Sequence, residues 1–196
     1  MTDKKILIVL GHPNPHSFCN HLADVYYEAC KESGYQCEML KLNELHFDPN
    51  LNLGYNNLGD QVLETDLVKS QESILRSDHL VFIFPNWWSS LPALLKGWID
   101  RVFLPGFSFK YKKGSPLPAK LLKGRTARII ITMDAPTWYY KWFNGSPGLK
   151  LMKFGTLEFC GIKPVEYTLL GEMRSASKEK LDKYVEKIKE LGRNGK

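Results

Sequence analysis

Short apolar runs bounded by turn residues alternate with longer segments whose apolar residues recur every three or four positions, and this alternation constrains the fold more than any other feature. Lys4–Leu10 is a continuous apolar run behind two lysines, the pattern of a strand buried on both faces. Ser17 stands where it can cap a helix running to about Glu32, with Leu22, Val25, Tyr26 and Ala29 on one side and Ser33-Gly34 as the stop. Tyr35–Leu42 reads as a second strand, and Gln61–Arg76 returns to helical spacing through Leu63, Leu67, Ile74 and Leu75. His79–Phe84 is a third strand stopped by Pro85, and Pro92 suits the first position of a helix over Ala93–Phe103, where its missing N–H costs nothing. Ala127–Thr132 and Pro164–Leu170 are further strands, with a helix over Gly148–Phe159 between them. Lys178–Leu191 closes the chain as an amphipathic helix, Leu181, Tyr184, Val185, Ile188 and Leu191 inward.

That order, βαβαβαβαβα, predicts an α/β three-layer sandwich: a five-stranded parallel sheet with helices on both faces. At 196 residues the chain is expected to form a single domain over 1–196, with no internal repeat or linker. Asn43–Asp60 is polar, rich in Asn and Gly, and long for a connection, which marks it as a candidate functional loop.

Composition removes whole classes. With 43% hydrophobic and 24% charged residues the chain is neither disordered nor fibrous. Its apolar runs fall far short of the roughly 18 to 20 residues that cross a bilayer, so no stable membrane insertion is expected. The apolar run near the N-terminus ends in Gly11-His12-Pro13 rather than a small-residue cleavage site, which predicts a cytoplasmic protein. Cys19, Cys30, Cys37 and Cys160 have no zinc-like spacing and fit reduced thiols. The net charge of +6 permits an anionic ligand without demanding nucleic acid, and none is expected. From Arg101 to Met133 there are eight basic residues and no acid, either a solvated face or a rim that attracts a phosphorylated cosubstrate.

In parallel sheets ligands bind beyond the carboxyl ends of the strands, which directs attention to His12–Phe18, Pro85–Leu91 and Met133–Pro147. The first loop carries neither GxGxxG nor GxxxxGK[ST]. It does end in Ser17 at a helix start, where Ser17 is either a plain N-cap or part of a phosphate site, and His12 either a loop histidine or a phosphate contact. His12, His16 and His21 lack acidic or cysteine partners, so no metal is expected. The second loop places Trp87 and Trp88 directly after a buried strand; in an extended segment their side chains point to opposite sides, and flat apolar groups there suit a planar heteroaromatic ring. The third loop gathers Trp138, Tyr139, Tyr140, Trp142 and Phe143, either a stacking surface or subunit interface, or a self-packed loop.

Those loops carry a resemblance. FPNWWSSLPALLKGWIDRVFLPGFSF resembles the signature of the flavodoxin-like NAD(P)H:quinone oxidoreductases, and LIVLGHPNPHSFCNHLAD resembles the opening strand, His and Ser-Phe of that family. LHFDPNL, TMDAPTWYY and LEFCGIKPV extend the match over nearly the whole chain, with the shorter bacterial-type members the nearer match. The resemblance implies a flavodoxin-like fold and a homodimeric enzyme holding FAD, with FMN as the alternative. It also implies ping-pong transfer of two electrons from NAD(P)H to a quinone or related acceptor. By position, His12, Ser17, Phe18 and Cys19 would line the flavin phosphates, and Pro85, Asn86, Trp87 and Trp88 the isoalloxazine edge. Thr132, Met133, Asp134 and Ala135 would approach the pyrimidine end, with Tyr139 or Tyr140 as the ring-side catalytic tyrosine. Cys19 stands where family members often carry Asn, and Asn144–Gly148 holds no counterpart of the catalytic His of the animal enzymes. Two rival readings are an FMN electron carrier, against which the basic charge speaks, and an accessory redox-sensing subunit of a partner such as a transporter.

Overall fold

The computed structural model describes residues 3–55, 57 and 60–196; Asn56, Leu58 and Gly59 of the expected loop lie outside the described residues. Five strands form one parallel sheet: β1 (Lys5–Leu10), β2 (Gln36–Lys41), β3 (His79–Pro85), β6 (Thr126–Thr132) and β7 (Val165–Leu170), in the order β2-β1-β3-β6-β7. Every pair is parallel, so each connection must cross over, and helices supply the crossovers. The expected five-stranded flavodoxin-like sandwich is therefore observed. A two-residue-per-strand hairpin, β4 (Phe109–Lys110) and β5 (Ala119–Lys120), lies outside the main sheet and has no periodic signal in the sequence.

Because successive side chains of a strand face opposite sides, the continuous apolar runs fill two separate cores. Leu7, Val9, Leu80, Phe82, Ile129 and Ile131 meet α2 (Thr65–Arg76), α3 (Ala93–Val102) and the helical run that follows β6. Ile6, Ile8, Leu10, Val81, Ile83 and Ile130 meet α1 (Phe18–Glu32) and α7 (Lys178–Arg193) on the other face. Trp98 anchors the first core: it is fully buried, meets Phe82 and Phe103 edge-on, and donates its indole N–H to Ser70 Oγ at 3.2 Å. Burial of side chains of this kind contributes roughly 1.5–3 kcal/mol each.

Two expected boundaries move. The helix expected from Gln61 begins only at Thr65, because Glu64 is extended and is drawn into contact with Arg101. The helix expected over Gly148–Phe159 is a composite of α5 (Pro147–Lys150), a π-helical segment (Leu151–Leu157) and α6 (Glu158–Cys160). The short α4 (Thr137–Trp142) interrupts the stretch expected to be a loop.

The segment after β2 is pinned from beneath by α3. Arg101 is buried and donates to the carbonyl oxygens of Asp48, Asn50 and Val62 and to the Glu64 carboxylate, the last at 2.7 Å. Partial burial alone would raise the Glu64 carboxyl, but the Asp48 N–H and the Arg101 guanidinium hold it below the usual carboxylate range. Gly97 allows the close approach: a Cβ there would lie 2.4 Å from Pro49 Cβ and 2.7 Å from the Pro49 carbonyl oxygen.

Half of the acid-free basic stretch is consumed in the same structural way. Arg128 is buried against Glu166 and Thr168, Arg125 donates to the carbonyls of Ile74 and Leu75, and Lys120 donates to that of Glu158 at 2.6 Å. With Arg101 these four are anchors; Lys110, Lys112, Lys113 and Lys123 remain as the exposed charges. The stretch is half tethers and half exposed charge.

His79 opens β3 with its ring buried, Nδ1 lying 2.6 Å from Thr126 Oγ1. Burial, with Lys4 and Arg128 nearby, pushes its pKa down to about 3. The unfolded chain takes up this proton near pH 6.5 and the folded chain only near 3, so stability falls as pH drops through that window. His79→Gln is expected to flatten the decline: between pH 6.5 and 4.5 the wild-type chain should lose about 2–3 kcal/mol more than the variant in urea unfolding.

Candidate functional site

The loops after β1, β3 and β6 emerge side by side because backbone bonds extend the sheet by one residue at each strand end. Gly11 N–H donates to Ile83 O at 2.9 Å, Asn86 N–H to Thr132 O at 2.7 Å, and Met133 N–H to Leu170 O at 2.9 Å. β1 and β3 are neighbours, yet the chain leaves β1 towards β2 and β3 towards β6. Connections running to opposite sides leave a crevice between them, the place where ligands settle on such sheets.

One wall is the start of α1. Ser17 is extended and its hydroxyl accepts the Asn20 N–H at 3.2 Å, so the N-cap reading holds. The cap leaves the N–H groups of Phe18 and Cys19 without a partner among the described residues, at the positive end of a 15-residue helix with no acid in its first turn. Those donors suit an anion such as phosphate. His12 accepts the Asn14 N–H on Nδ1 at 2.9 Å, which assigns its proton to Nε2. Partial burial holds its pKa below the ordinary imidazole value, so the ring is a neutral donor at pH 7. It meets Trp87 edge-on at 5.3 Å.

The second wall is a tight hairpin rather than the expected extended segment. Trp87 and Ser90 exchange N–H···O bonds of 3.1 and 2.9 Å, and Trp88 and Ser89 between them have φ of 50° and 61°. This is a two-residue turn with both central residues left-handed, a place where Asn-Gly is the usual choice. Each non-glycine residue held there costs on the order of 1 kcal/mol or more. The turn is held from outside: Gly148 N–H donates to Ser89 O at 2.9 Å, and the Asn144 side-chain amide donates to Ser89 Oγ. A Cβ on Gly148 would sit 3.0 Å from that Ser89 oxygen. Trp88 is fully exposed and Trp87 is 44% exposed, so neither is core. Behind them, Asn86 Oδ1 is buried with no partner among the described residues, and Pro85 is buried in the last ladder position of β3.

The third wall divides the remaining expected residues. Cys19, Thr132 and Met133 are buried; Cys19 Sγ lies 3.2 Å from Thr132 Oγ1 beneath the crevice, so their side chains do not face it. Cys19 reaches the site through its backbone N–H alone. Met133 O and Ala135 O accept the N–H groups of Met173 and Glu172, and Asp134 Oδ1 accepts that of Arg174 at 3.2 Å, tying this loop to the one after β7. The two tyrosines separate completely. Tyr140 is buried, its hydroxyl accepting the Leu149 N–H at 3.0 Å, and burial pushes its pKa up; it holds α4 to α5. Tyr139 is 48% exposed and stacks on Phe143 with ring centroids 5.8 Å apart, beside Trp138.

Ser89, Asn144 and Gly148 matter to the hairpin and escape sequence reasoning, since a polar turn and a helix-opening glycine nearly 60 residues apart carry no local signal of contact. No cluster of metal-ligating side chains occurs among the described residues. The crevice therefore offers free N–H donors at a helix start, a strained turn edged with indoles, and a buried carbonyl without a partner. That set fits a planar heteroaromatic carrying a phosphate. Trp88 packs on nothing, so Trp88→Gly is expected to relieve turn strain and raise stability by about 1 kcal/mol in urea unfolding.

Comparison with known proteins agrees with this geometry. The family model described as flavodoxin-like fold matches residues 4–191. An uncharacterized NAD(P)H oxidoreductase of Haemophilus influenzae is 31% identical over 170 residues, covering 85% of this chain and 83% of its own. The human ribosyldihydronicotinamide dehydrogenase [quinone] is 30% identical over 189 residues, covering 83% of this chain and 79% of its own. Among solved structures, Smu.1420 of Streptococcus mutans superposes with a TM-score of 0.80 at 33% identity, over 97% of this chain and 99% of that one. Sheet order, crevice and matched length together place the chain in the flavodoxin-like fold family, to which it belongs.

Proposed function

We propose that this chain is a flavin-dependent NAD(P)H:acceptor oxidoreductase that passes two electrons to a quinone or a related compound in ping-pong fashion. The observation that carries the reading is the meeting of a helix start bearing free N–H groups with the strained Trp88–Ser89 turn across one crevice. The named activities of the Haemophilus and human relatives support it.

A bound flavin would supply the hydride chemistry, and the chain supplies binding, orientation and charge. The Phe18 and Cys19 N–H groups and the Nε2–H of His12 would hold its phosphate, all without a charged side chain. The left-handed turn turns the Trp88 and Ser89 N–H groups away from the hairpin ladder, where they can stabilise negative charge gathering on a ring edge. Trp87 would exclude water from one side of that ring. Tyr139, the exposed member of the tyrosine pair, would contact the acceptor.

FAD is the proposed cofactor, on the family resemblance, and the cytoplasm the proposed location, consistent with four unpaired thiols. The proposed assembly is a homodimer, supported by the exposed Trp142 and Phe143 beside the crevice, an apolar surface a second subunit would cover. Sedimentation at micromolar concentration is expected to give twice the 22.5 kDa chain mass; a single-chain mass would remove the dimer.

The decisive experiment is the visible spectrum of the purified protein before and after anaerobic NADPH, followed by chromatography of the cofactor released on denaturation. A yellow protein that bleaches and releases FAD is the expected result. Release of FMN would correct the cofactor, and a protein that stays colourless after incubation with either flavin would overturn the function.

A further inference from the structure

The crevice lies at the end of the sheet where the strands finish. At the opposite end, where they begin, a cavity of about 130 Å³ is lined by Lys4, His79, Thr126, Glu166 and Lys196. These residues come from the position before β1, the starts of β3, β6 and β7, and the tail after α7. His79 is only 5% exposed; its Nδ1 pairs with Thr126 Oγ1 at 2.6 Å, and its Nε2 is buried with no partner among the described residues. Burial keeps the ring neutral at pH 7, and with the Thr126 hydroxyl donating to Nδ1 the ring proton stands on Nε2. A buried donor without an acceptor is rare enough to call for a ligand or an ion.

The acceptors around the cavity are already engaged. Gly195 O accepts from Lys4 Nζ at 2.5 Å, Lys196 O accepts the Tyr26 hydroxyl at 2.9 Å, and Asp78, at the same edge, accepts the Lys5 N–H at 2.8 Å. The Glu166 carboxylate is paired with the buried Arg128. Neither Lys4 nor Lys196 forms an ion pair among the described residues. Burial holds the Lys4 ammonium below the ordinary lysine value, and the Lys196 charge adds to this. A neutral N–H and two uncompensated ammonium groups around one cavity suit an acceptor that carries negative charge.

We propose that this cavity binds a small oxyanion of the phosphate or sulfate kind, held by the Nε2–H of His79 and the ammonium groups of Lys4 and Lys196. Its size admits a few waters or one tetrahedral oxyanion. It is far below the roughly 300 Å³ at which pockets for larger ligands begin, which excludes a nucleotide. The anion joins three segments that are distant in sequence: the residue before β1, the first residue of β3 and the tail after α7. It stands apart from the phosphate position at the start of α1, because that helix begins at the other end of the sheet, after β1 has ended. Binding to the folded chain alone stabilises it by mass action.

Inorganic phosphate is titrated into the full chain at pH 7 and constant ionic strength while the histidine ring N–H resonances are followed by NMR, with His79→Gln identifying the His79 signal. The His79 Nε2–H resonance is expected to shift along a saturating curve, and Lys4→Gln to weaken the apparent Kd by roughly tenfold. If loss of the Lys4 bond to Gly195 prevents folding, Lys196→Gln, at an exposed position, should weaken it by roughly threefold. A His79 signal that does not move means that water alone fills the cavity, and overturns the proposal. So does an equal shift with chloride, a response confined to His12 beside the start of α1, or an affinity unchanged in the variant that folds.

Discussion

The parallel pairing of β1 with β3 is the interaction on which the rest depends. Its ladder runs Ile6↔His79 to Leu10↔Ile83 and continues one step further through Gly11 N–H to Ile83 O. All ten paired residues are buried. Helices must therefore cover both faces, because a sheet with two apolar sides has no solvated one. The chain departs from the two strands in opposite directions, which opens the crevice above the ladder. Fold and site thus share one origin.

Around the crevice, the stable parts of the molecule hold the unstable ones. Trp88 and Ser89 occupy a conformation poor for residues with side chains, and the turn persists because Asn144, in the link after α4, and Gly148, in α5, hold Ser89. Those contacts in turn rely on Tyr140, whose buried hydroxyl links α4 to Leu149. A tyrosine that resembles a catalytic residue by position thus also supports the turn. Arg101 does comparable work for the segment after β2, holding three carbonyls and a carboxylate from inside the core. Backbone carbonyls far from regular structure need such partners once buried.

Much of this was legible in the residues. The sequence pattern marked all five strands of the sheet within a residue or two; in β1, β3 and β6 double burial leaves a nearly unbroken hydrophobic signal, whereas the edge strands β2 and β7 are mixed. The alternation with helical periods implied parallel order, and strand ends named the three loops that do converge. The small β4–β5 hairpin, the late start of α2 and the π-helical segment were not legible, because each is set by a tertiary contact or by geometry rather than by periodicity. The basic stretch was only half legible for the same reason: charge is visible in a sequence, whereas the carbonyls that occupy Arg101, Arg125 and Lys120 come from distant segments.

The sequence by itself determined the layer architecture, the three loops and the residue types available to a phosphorylated planar ligand, because hydrophobic period and turn chemistry act locally. Only the tertiary structure decided which way those residues face. It turned the Cys19 and Thr132 side chains towards each other, buried Tyr140 and left Tyr139 at the surface, and bent the two tryptophans into a left-handed turn. Each outcome depends on a partner many positions away or on the reversal of the chain between elements, and such contacts exist only after the sheet has closed over its two cores.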